Sequence, residues 1–396
     1  MAVRSSRPRI GFVSTYPPTV CGLASFTSSL VGAIGRTRGT REELGVLRLV
    51  EDDVDAIAED GVRVHRRDDQ RSLFSATRTL NTFDAVSVQH EFGIYGGSDG
   101  REVLDLVAGL DVPVATTFHT MLADPTPNQR SIIEDLAAAS QRSVVMSGTA
   151  AERLVRHYDV DPHGVTVIPH GAAARFRGPS LAAGGRPLIL TWGLIGPGKG
   201  LEVAIEACTS LLDLDPRPRY LIAGATHPNV RRNDGEAYRE GLVALVRRLG
   251  LEDVVEFDDR YLDDDELARV VRSADLVVLP YASVEQVTSG VLVEAVSASK
   301  PVIATSFPHS VEVLSSGAGM LVDHGDADAL GAALRTVLTD PARARAMAHE
   351  AGRIAAAWDW PTIGRRYDGM FAGMAAFGRP RGAGVPQRVG VDHVAG

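Results

Sequence analysis

The chain has 396 residues, of which 44% are hydrophobic and 23% charged, values close to the averages for soluble globular proteins. A chain of this length is expected to form two or three domains. It can bury enough apolar surface to fold without disulfides or a metal. Acidic residues outnumber basic ones by 50 to 41 and neither half of the chain is basic, which argues against a nucleic-acid-binding protein.

The ends of the chain and its cysteines favour a cytoplasmic protein. Residues 1–9 lack the apolar stretch of an export signal, and no run of 18 apolar residues predicts a membrane span. Cys21 and Cys208 lie far apart without metal-ligand spacing, so we expect two reduced thiols. The predicted location is the cytoplasm, with peripheral contact to the inner face of the membrane left open.

In the first half of the chain, short apolar runs alternate with amphipathic stretches, as is typical of parallel strands covered by helices. The predicted strands are Arg9–Thr15, Leu44–Val50, Ala85–Gln89, Val112–Phe118, Ser143–Met146 and Val165–Pro169. The predicted helices are Leu23–Ile34, Val103–Leu110, Ser131–Ala139 and Thr149–His157. Glycine, proline and small residues over Ala172–Pro187 then indicate a linker.

The alternation restarts after this linker. The predicted strands are Leu188–Trp192, Tyr220–Ala223, Val254–Phe257, Leu276–Pro280, Val302–Thr305 and Met320–Val322. The predicted helices are Leu201–Leu212, Glu236–Leu249, Asp264–Val271, Ser289–Ser297, Ala327–Leu338 and Ala342–Ala357. The sequence thus predicts an α/β protein with two doubly wound, Rossmann-like domains, 1–180 and 187–358, facing a central cleft. A further helix is expected over 359–377, and a disordered tail over 378–396.

The segment Leu190–Leu201 (LTWGLIGPGKGL) joins a predicted strand to a helix. Its spacing is that of a nucleoside-triphosphate loop, but Gly200 stands where that loop needs a hydroxyl to hold magnesium. Amides at a helix start together with a cation still favour a phosphate. Lys199 and Lys300 are the only lysines among 41 basic residues, which suggests that a compact charge is required at Lys199. The alternative is a structural turn with an incidental lysine.

A second motif, Tyr281–Ala298 (YASVEQVTSGVLVEAVSA), follows another predicted strand. Thr288, Ser289 and Gly290 would open a helix at the carboxyl end of that strand, where open α/β sheets bind ligands. The carboxylate of Glu294 can accept two hydrogen bonds from a ribose diol. The alternative is an ordinary N-cap followed by a glutamate that faces solvent.

Together the two segments resemble the retaining glycosyltransferases of family 4, which have the GT-B fold. The Gly-Arg-Leu…Lys-Gly loop of that family is matched by Gly193, Lys199 and Gly200, and Glu294 matches the second glutamate of its Glu-x7-Glu helix. The resemblance extends over nearly the whole chain, through the motifs IPHG, ADLVVLPY and KPVIAT. It implies that the last helix, with Trp360, Ile363 and Tyr367, crosses back to the first domain.

Two positions depart from the family pattern. Leu194 replaces the arginine of the loop, and Gln286 replaces the first glutamate, with Glu285 beside it. Arg231, Arg232 and Arg260 are candidates to supply the missing charge.

The resemblance also implies roles for individual residues. His119 and Lys199 are the expected catalytic residues. The expected donor-binding residues are Gly22, Lys199, Gln286, Thr288, Ser289, Gly290 and Glu294. His90 and Glu91 lie at a strand end near aromatic residues and, with Glu285, are candidate contacts to the acceptor or the sugar, although a structural loop explains the first two equally well.

The predicted function is a retaining, metal-independent hexosyltransferase. It would move a sugar from a nucleoside diphosphate, its co-substrate, to a hydroxyl group of a glycan, glycoside or lipid-linked acceptor, without a cofactor. Two alternatives remain: a GT-B disaccharide phosphorylase or synthase, and a non-catalytic sugar-nucleotide-binding protein, which Leu194 and Gln286 suggest. The donor base, the hexose and the acceptor stay open.

Overall fold

The computed structural model describes residues 7–51, 61–178 and 185–377, and its contacts divide the chain into two units. Unit 1 contains the described residues up to Ile168 and those from Gly364 onward, and unit 2 runs from Pro169 to Ile363. The tail predicted over 378–396 lies outside the described residues. Within the described ranges, no helix is both long and apolar enough to cross a bilayer.

Unit 1 is built around a seven-stranded sheet in which every pairing is parallel, in the order β3-β2-β1-β4-β5-β6-β7. The strands are β1 Ile10–Ser14, β2 Leu44–Val50, β3 Val62–Arg66, β4 Ala85–His90, β5 Val114–Phe118, β6 Arg142–Val145 and β7 Val165–Val167. The helices up to β7 are α1 Gly22–Arg38, α2 Gln70–Leu80, α3 Glu102–Ala108, α4 Pro127–Ala139 and α5 Gly148–His157. Every residue of β1, β4 and β5 is buried, so both faces of the central sheet are covered.

Unit 2 repeats this plan with a six-stranded parallel sheet in the order β10-β9-β8-β11-β12-β13. The strands are β8 Leu188–Trp192, β9 Arg219–Ala223, β10 Val255–Asp258, β11 Leu276–Leu279, β12 Val302–Thr305 and β13 Gly319–Val322. The helices are α6 Leu201–Ala207, α7 Pro228–Asp234, α8 Ala237–Leu249, α9 Asp264–Ser273, α10 Gly290–Ser297, α11 Pro308–Leu314, α12 Ala327–Thr339 and α13 Pro341–Ala355. The two doubly wound α/β domains predicted from the sequence are therefore confirmed.

Two neighbouring elements of unit 1 were not predicted. Strand β3 (VRVHR) alternates apolar and basic residues because it is an edge strand, and it follows residues that the structure does not describe. The side chain of Asp69 then caps α2 by accepting hydrogen bonds from the amides of Arg71 and Ser72. The helix buries only Leu73, Ala76 and Leu80, which is too few apolar positions to stand out in the sequence.

The division between the units differs from the predicted boundary at residue 180. Ala172 pairs with Asp359 in a short parallel bridge, and its amide donates to the carbonyl of Trp358. The Phe176 side chain is buried in the core of unit 2. The first described residues of the predicted linker are thus packed into unit 2 rather than free.

The last helix, α14 (Trp360–Phe377), belongs to unit 1 from Gly364 onward. Tyr367 and Phe371 are fully buried there, and the Phe371 ring meets that of Phe12 edge-on at 6.2 Å. The buried Arg38 of α1 donates from Nε to Asp368 at 2.8 Å. The residues at the end of the described chain thus complete the core beside β1.

Replacing Phe371 by alanine is expected to destabilise unit 1 by about 3–5 kcal/mol, because it leaves a cavity beside β1. Hydrogen exchange resolved by peptide reports each unit separately and should show faster exchange of the β1 amides. Phe74→Ala is the control, since Phe74 is 67% exposed and its loss should change little. Unchanged protection of β1 in Phe371→Ala would show that unit 1 does not need α14.

Candidate functional site

Each sheet has one point where the strand order reverses: between β1 and β4 in unit 1, and between β8 and β11 in unit 2. Ligands of open α/β sheets bind outside the carboxyl ends of the strands at such points. The loop after β8 contains Gly193 to Gly200, and the loop after β11 leads to α10. Both motifs singled out in the sequence therefore lie at the switch point of unit 2.

The loops of this switch point approach each other backbone to backbone. A Cβ on Gly200, whose φ is +64°, would lie 1.8 Å from the carbonyl oxygen of Pro280. A Cβ on Gly224, whose φ is +140°, would lie 2.0 Å from the carbonyl oxygen of Gly193. The amide of Ala282 donates to the carbonyl of Gly198 at 2.9 Å. Glycine is therefore required at 200 and 224 for the loops after β8, β9 and β11 to meet.

The ammonium group of Lys199 lies 4.4 Å from the centre of the Tyr281 ring. The Lys199 side chain is partly exposed, and among the described residues no carboxylate pairs with it. The second lysine, Lys300, instead donates to the carbonyls of Arg272 and Ala274 at 2.7 Å each, so it closes the end of α9. Of the two lysines, Lys300 is thus held by backbone carbonyls, whereas Lys199 lies against an aromatic ring.

At the start of α10, some polar groups are hydrogen-bonded within the protein and one is not. Ser289 is the N-cap, and its hydroxyl accepts from the Leu292 amide at 3.2 Å. The Gln286 amide group donates to the carbonyl of Thr288 at 3.2 Å. The hydroxyl of Thr288 is buried without a partner in the described structure. The N-cap alternative thus describes the Ser289 side chain, while the Thr288 hydroxyl remains available.

Two histidines that sequence reasoning did not place in the site hold this helix start. The Nδ1 atom of His309 accepts from the amide of Ser289 at 2.9 Å, and the His309 amide donates to the Gln286 carbonyl. A Cβ on Gly290 would lie 3.2 Å from Nε2 of His170. Burial lowers the pKa of both histidines to about 4, so both rings are neutral at pH 7.

Glu294 does not face solvent. Its side chain is partly buried, and the indole Nε1–H of Trp192, at the end of β8, donates to its Oε2 at 3.1 Å. Desolvation by burial raises the pKa of Glu294 to about 7; nearby Asp264 raises it further, whereas the Trp192 hydrogen bond and Arg175 oppose the shift. The loop after β8 lies against α10 here, since a Cβ on Gly193 would be 3.7 Å from Val291. Trp192 was not predicted, because a tryptophan that ends an apolar strand carries no sign of a polar role.

The arginines suggested as substitutes for the missing loop arginine are engaged elsewhere. Arg260 follows the edge strand β10 and pairs with Asp258 at 2.8 Å and Glu266 at 3.1 Å. Arg231 is exposed and lies 3.4 Å from Glu236, and Arg232 donates to Asn229. None of these contacts joins them to the loop of Lys199. Glu285 lies in the same loop as Gln286, where its amide donates to the Ser283 hydroxyl.

In unit 1, the loop after β1 ends at Cys21, which caps α1, and at the exposed Gly22. No atom lies within 4 Å of the place where a Cβ on Gly22 would be, so the described structure leaves open space at this helix start. Glu91 follows β4, and its Oε2 accepts from the Thr120 hydroxyl at 2.5 Å. Burial raises the pKa of Glu91 above its usual range.

His90 is a correction to the sequence analysis. Its side chain is fully buried among the rings of Phe92, Tyr95 and Phe118, at 5.0, 6.5 and 5.6 Å. Burial lowers its pKa to about 3, and neither ring nitrogen has a partner in the described structure. The prediction of an acceptor contact is wrong for this side chain, and the structural-loop alternative holds, because β4 continues through residue 90 and turns it into the core.

His119 follows β5 and is half-buried. Its Nε2 lies 2.9 Å from Oε1 of the buried Gln89, and its ring meets that of Phe26 edge-on at 4.9 Å. The Gln89 amide nitrogen donates to the Ser87 hydroxyl, so the Gln89 oxygen faces His119. The His119 Nε2 atom therefore carries the proton.

Over 7–51, 61–178 and 185–377, no group of three or more His, Cys, Asp or Glu side chains is arranged to hold a metal ion.

Comparisons with known proteins agree with this geometry. Residues 173–354 match the family "Glycosyl transferases group 1", and residues 54–174 match "Glycosyltransferase Family 4". D-inositol 3-phosphate glycosyltransferases of Rhodococcus opacus and Kineococcus radiotolerans are 32% and 33% identical, each over 63% of this chain and over 59% and 63% of their own length. The chain thus spans about three fifths of these curated relatives.

The solved structures show the same fold at low sequence identity. HepE of Anabaena in complex with UDP has a TM-score of 0.75 at 17% identity, over 92% of this chain and 100% of that one. Sucrose-phosphate synthase of Thermosynechococcus elongatus has a TM-score of 0.75 at 19% identity, over 93% and 99%. The two family matches together cover residues 54–354. The chain belongs to the family 4 type of glycosyltransferases with the GT-B fold.

Proposed function

We propose that the protein transfers a hexosyl group, with retention, from a nucleoside-diphosphate sugar to a hydroxyl acceptor. The observation that carries the proposal is the set of groups that meet at the switch point of unit 2. There the loop after β8 brings the ammonium group of Lys199, which no carboxylate of the described residues pairs, to the same edge of the sheet as helix α10, which contains the partly buried Glu294. A cation and a helix start favour a diphosphate, and a carboxylate beside them fits the hydroxyls of a ribose.

The chemistry follows from where charge develops. As the bond between sugar and phosphate breaks, negative charge grows on the leaving diphosphate, and Lys199 together with the amides at the start of α10 would stabilise it. The family mechanism implies attack from the same face of the sugar, with a phosphate oxygen of the donor taking the acceptor proton. His119 would contact the transferred sugar, and Glu91 and Glu285 remain candidate contacts to the sugar or acceptor.

UDP is the preferred nucleotide of this proposal, because UDP or a UDP-sugar is named in the neighbouring HepE structures. The names of the relatives and of sucrose-phosphate synthase support an acceptor that bears both hydroxyl and phosphate groups. We further propose that the protein acts in the cytoplasm and needs no metal ion or cofactor.

The proposal is tested by following transfer of labelled glucose from UDP-glucose to inositol phosphate and sugar phosphates in excess EDTA. Transfer should persist in EDTA and fall at least about 100-fold in Lys199→Met, which keeps the side-chain length but removes the charge. Activity lost in EDTA and restored by magnesium would contradict the metal-free reaction. Binding without transfer would identify a sugar-nucleotide-binding protein, and dependence on inorganic phosphate without nucleotide would identify a phosphorylase.

The affinity for UDP-glucose should fall about tenfold between pH 8 and pH 6. Ionised Glu294 accepts hydrogen bonds from both ribose hydroxyls, and with a pKa of about 7 in the free protein its ionised fraction drops over this range. UDP-glucose is used because its diphosphate does not titrate there. Calorimetry on Glu294→Gln, the matched control, should give weaker binding that no longer varies with pH. An equal pH dependence in both proteins would remove Glu294 from the donor site.

His119→Ala should lower kcat on the order of 100-fold while leaving the Kd for UDP nearly unchanged, since UDP lacks the transferred sugar. His163→Ala is the control, because His163 is an exposed histidine of the same unit. If His119→Ala keeps full kcat and only loses thermal stability, its contact with Gln89 is structural.

A further inference from the structure

The ammonium group of Lys199 ends a flexible side chain, so its position depends on what the residue contacts. Its backbone is fixed, because the Lys199 amide donates to the carbonyl of Gly196 and the Gly198 carbonyl accepts from Ala282. Its side chain has no carboxylate partner in the described structure, and its ammonium group lies over the ring of Tyr281. An aromatic face attracts a cation at this distance without neutralising its charge.

Tyr281 is itself rigidly held. It is 1% exposed, and its ring stacks on that of Phe307 with centroids 5.3 Å apart. Its carbonyl accepts from the hydroxyl of Thr305 at 2.6 Å and from Nδ1 of His324 at 2.8 Å. The backbone contact of Gly200 with Pro280 fixes the two loops against each other next to this ring. The ring therefore forms a fixed support for the ammonium group.

The hydroxyl of Tyr281 does not explain the presence of this residue. It is buried and has no hydrogen-bond partner in the described structure. A buried hydroxyl without a partner is unfavourable, so the feature of Tyr281 that the site uses is the aromatic face.

We propose that Tyr281 is the positioning residue for Lys199, and that its ring holds the ammonium group where the leaving diphosphate of the donor binds. This inference rests on the proposed function and deepens it. Leu194 occupies the place of the family's loop arginine, so the position of the single lysine carries more of the anion binding. A lysine held in advance loses less side-chain freedom when the diphosphate arrives.

The first experiment needs no ligand. Because the chain contains two lysines, selective labelling of the lysine ε-carbons gives two NMR signals, and Lys300→Met identifies which belongs to Lys199. The ε-protons of Lys199 should be shifted upfield by the Tyr281 ring in the wild type and in Tyr281→Phe, but not in Tyr281→Leu. Unshifted Lys199 protons in the wild type would overturn the proposal.

The second experiment is a double-mutant cycle measured by titration with UDP. Tyr281→Leu should weaken UDP binding about 5- to 30-fold, and Tyr281→Phe should restore it. In a Lys199→Met background, Tyr281→Leu should lower the affinity for UDP less than about twofold, because Tyr281 acts through the lysine. Phe307→Leu is the control. It also removes an aromatic ring from the core but leaves the contact between Lys199 and Tyr281, so it separates the effect of lost packing from that of the lost cation contact.

The outcomes separate this inference from the proposed function. If Tyr281→Leu lowers the affinity for UDP equally with and without Lys199, the positioning role is overturned, while the proposal that the protein binds UDP stands. Failure of the wild type to bind UDP, with the upfield shift present, would contradict the proposed donor and support the placement of Lys199 by Tyr281.

Discussion

The candidate site of unit 2 depends on two places where one backbone touches another. The carbonyls of Pro280 and Gly193 occupy the space that a side chain at 200 or 224 would fill, so the loops after β8, β9 and β11 can join only through glycine. This pair of contacts sets the neighbours of Lys199 and Glu294. It places Lys199 on the ring of Tyr281 and brings the end of β8 against α10, where Trp192 meets Glu294.

The charges of this region follow from burial. His170 and His309 adjoin the start of α10, but burial keeps both neutral at pH 7. The same effect leaves Glu294 only partly ionised near pH 7. Lys199 and the amide groups at the start of α10 therefore supply positive charge at this switch point, which favours an anionic ligand.

The sequence predicted the parallel strands well because a strand that is covered on both faces must be apolar throughout. The predicted bounds of β2, β8 and β12 are those observed, and the other matched strands differ by one or two residues. Elements with few buried residues escaped prediction: the edge strand β3 and the helices α2 and α7. The short helix α11 was also missed, although His309, Ser310, Val313 and Leu314 in it are buried. The site was predictable only as far as its motifs reached. Lys199 and Glu294 stand at positions that the motifs single out. Trp192 and Tyr281 lie in the same quoted segments, but their contacts with Glu294 and Lys199, like that of His309 with Ser289, join separate loops and no local pattern encodes them. The prediction for His90 was wrong because a polar residue at a strand end looks the same in sequence whether it faces solvent or the core.

The two departures from the family pattern have different structural meanings. At 286, the side-chain amide of the glutamine donates a hydrogen bond to the carbonyl of Thr288, and the backbone carbonyl of Gln286 accepts from the backbone amide of His309. A carboxylate could not make the first of these bonds, because it has no proton to donate and would face a carbonyl oxygen. Gln286 is therefore built into the loop that orders the start of α10, and its replacement by glutamate would loosen that loop rather than restore a function. Leu194 has no such counterpart: the ion pairs described for Arg231 and Arg260 join them to acidic residues outside the Lys199 loop. With leucine at 194, the charge of the segment Gly193–Gly200 is that of Lys199, and the Tyr281 ring lies against this one ammonium group.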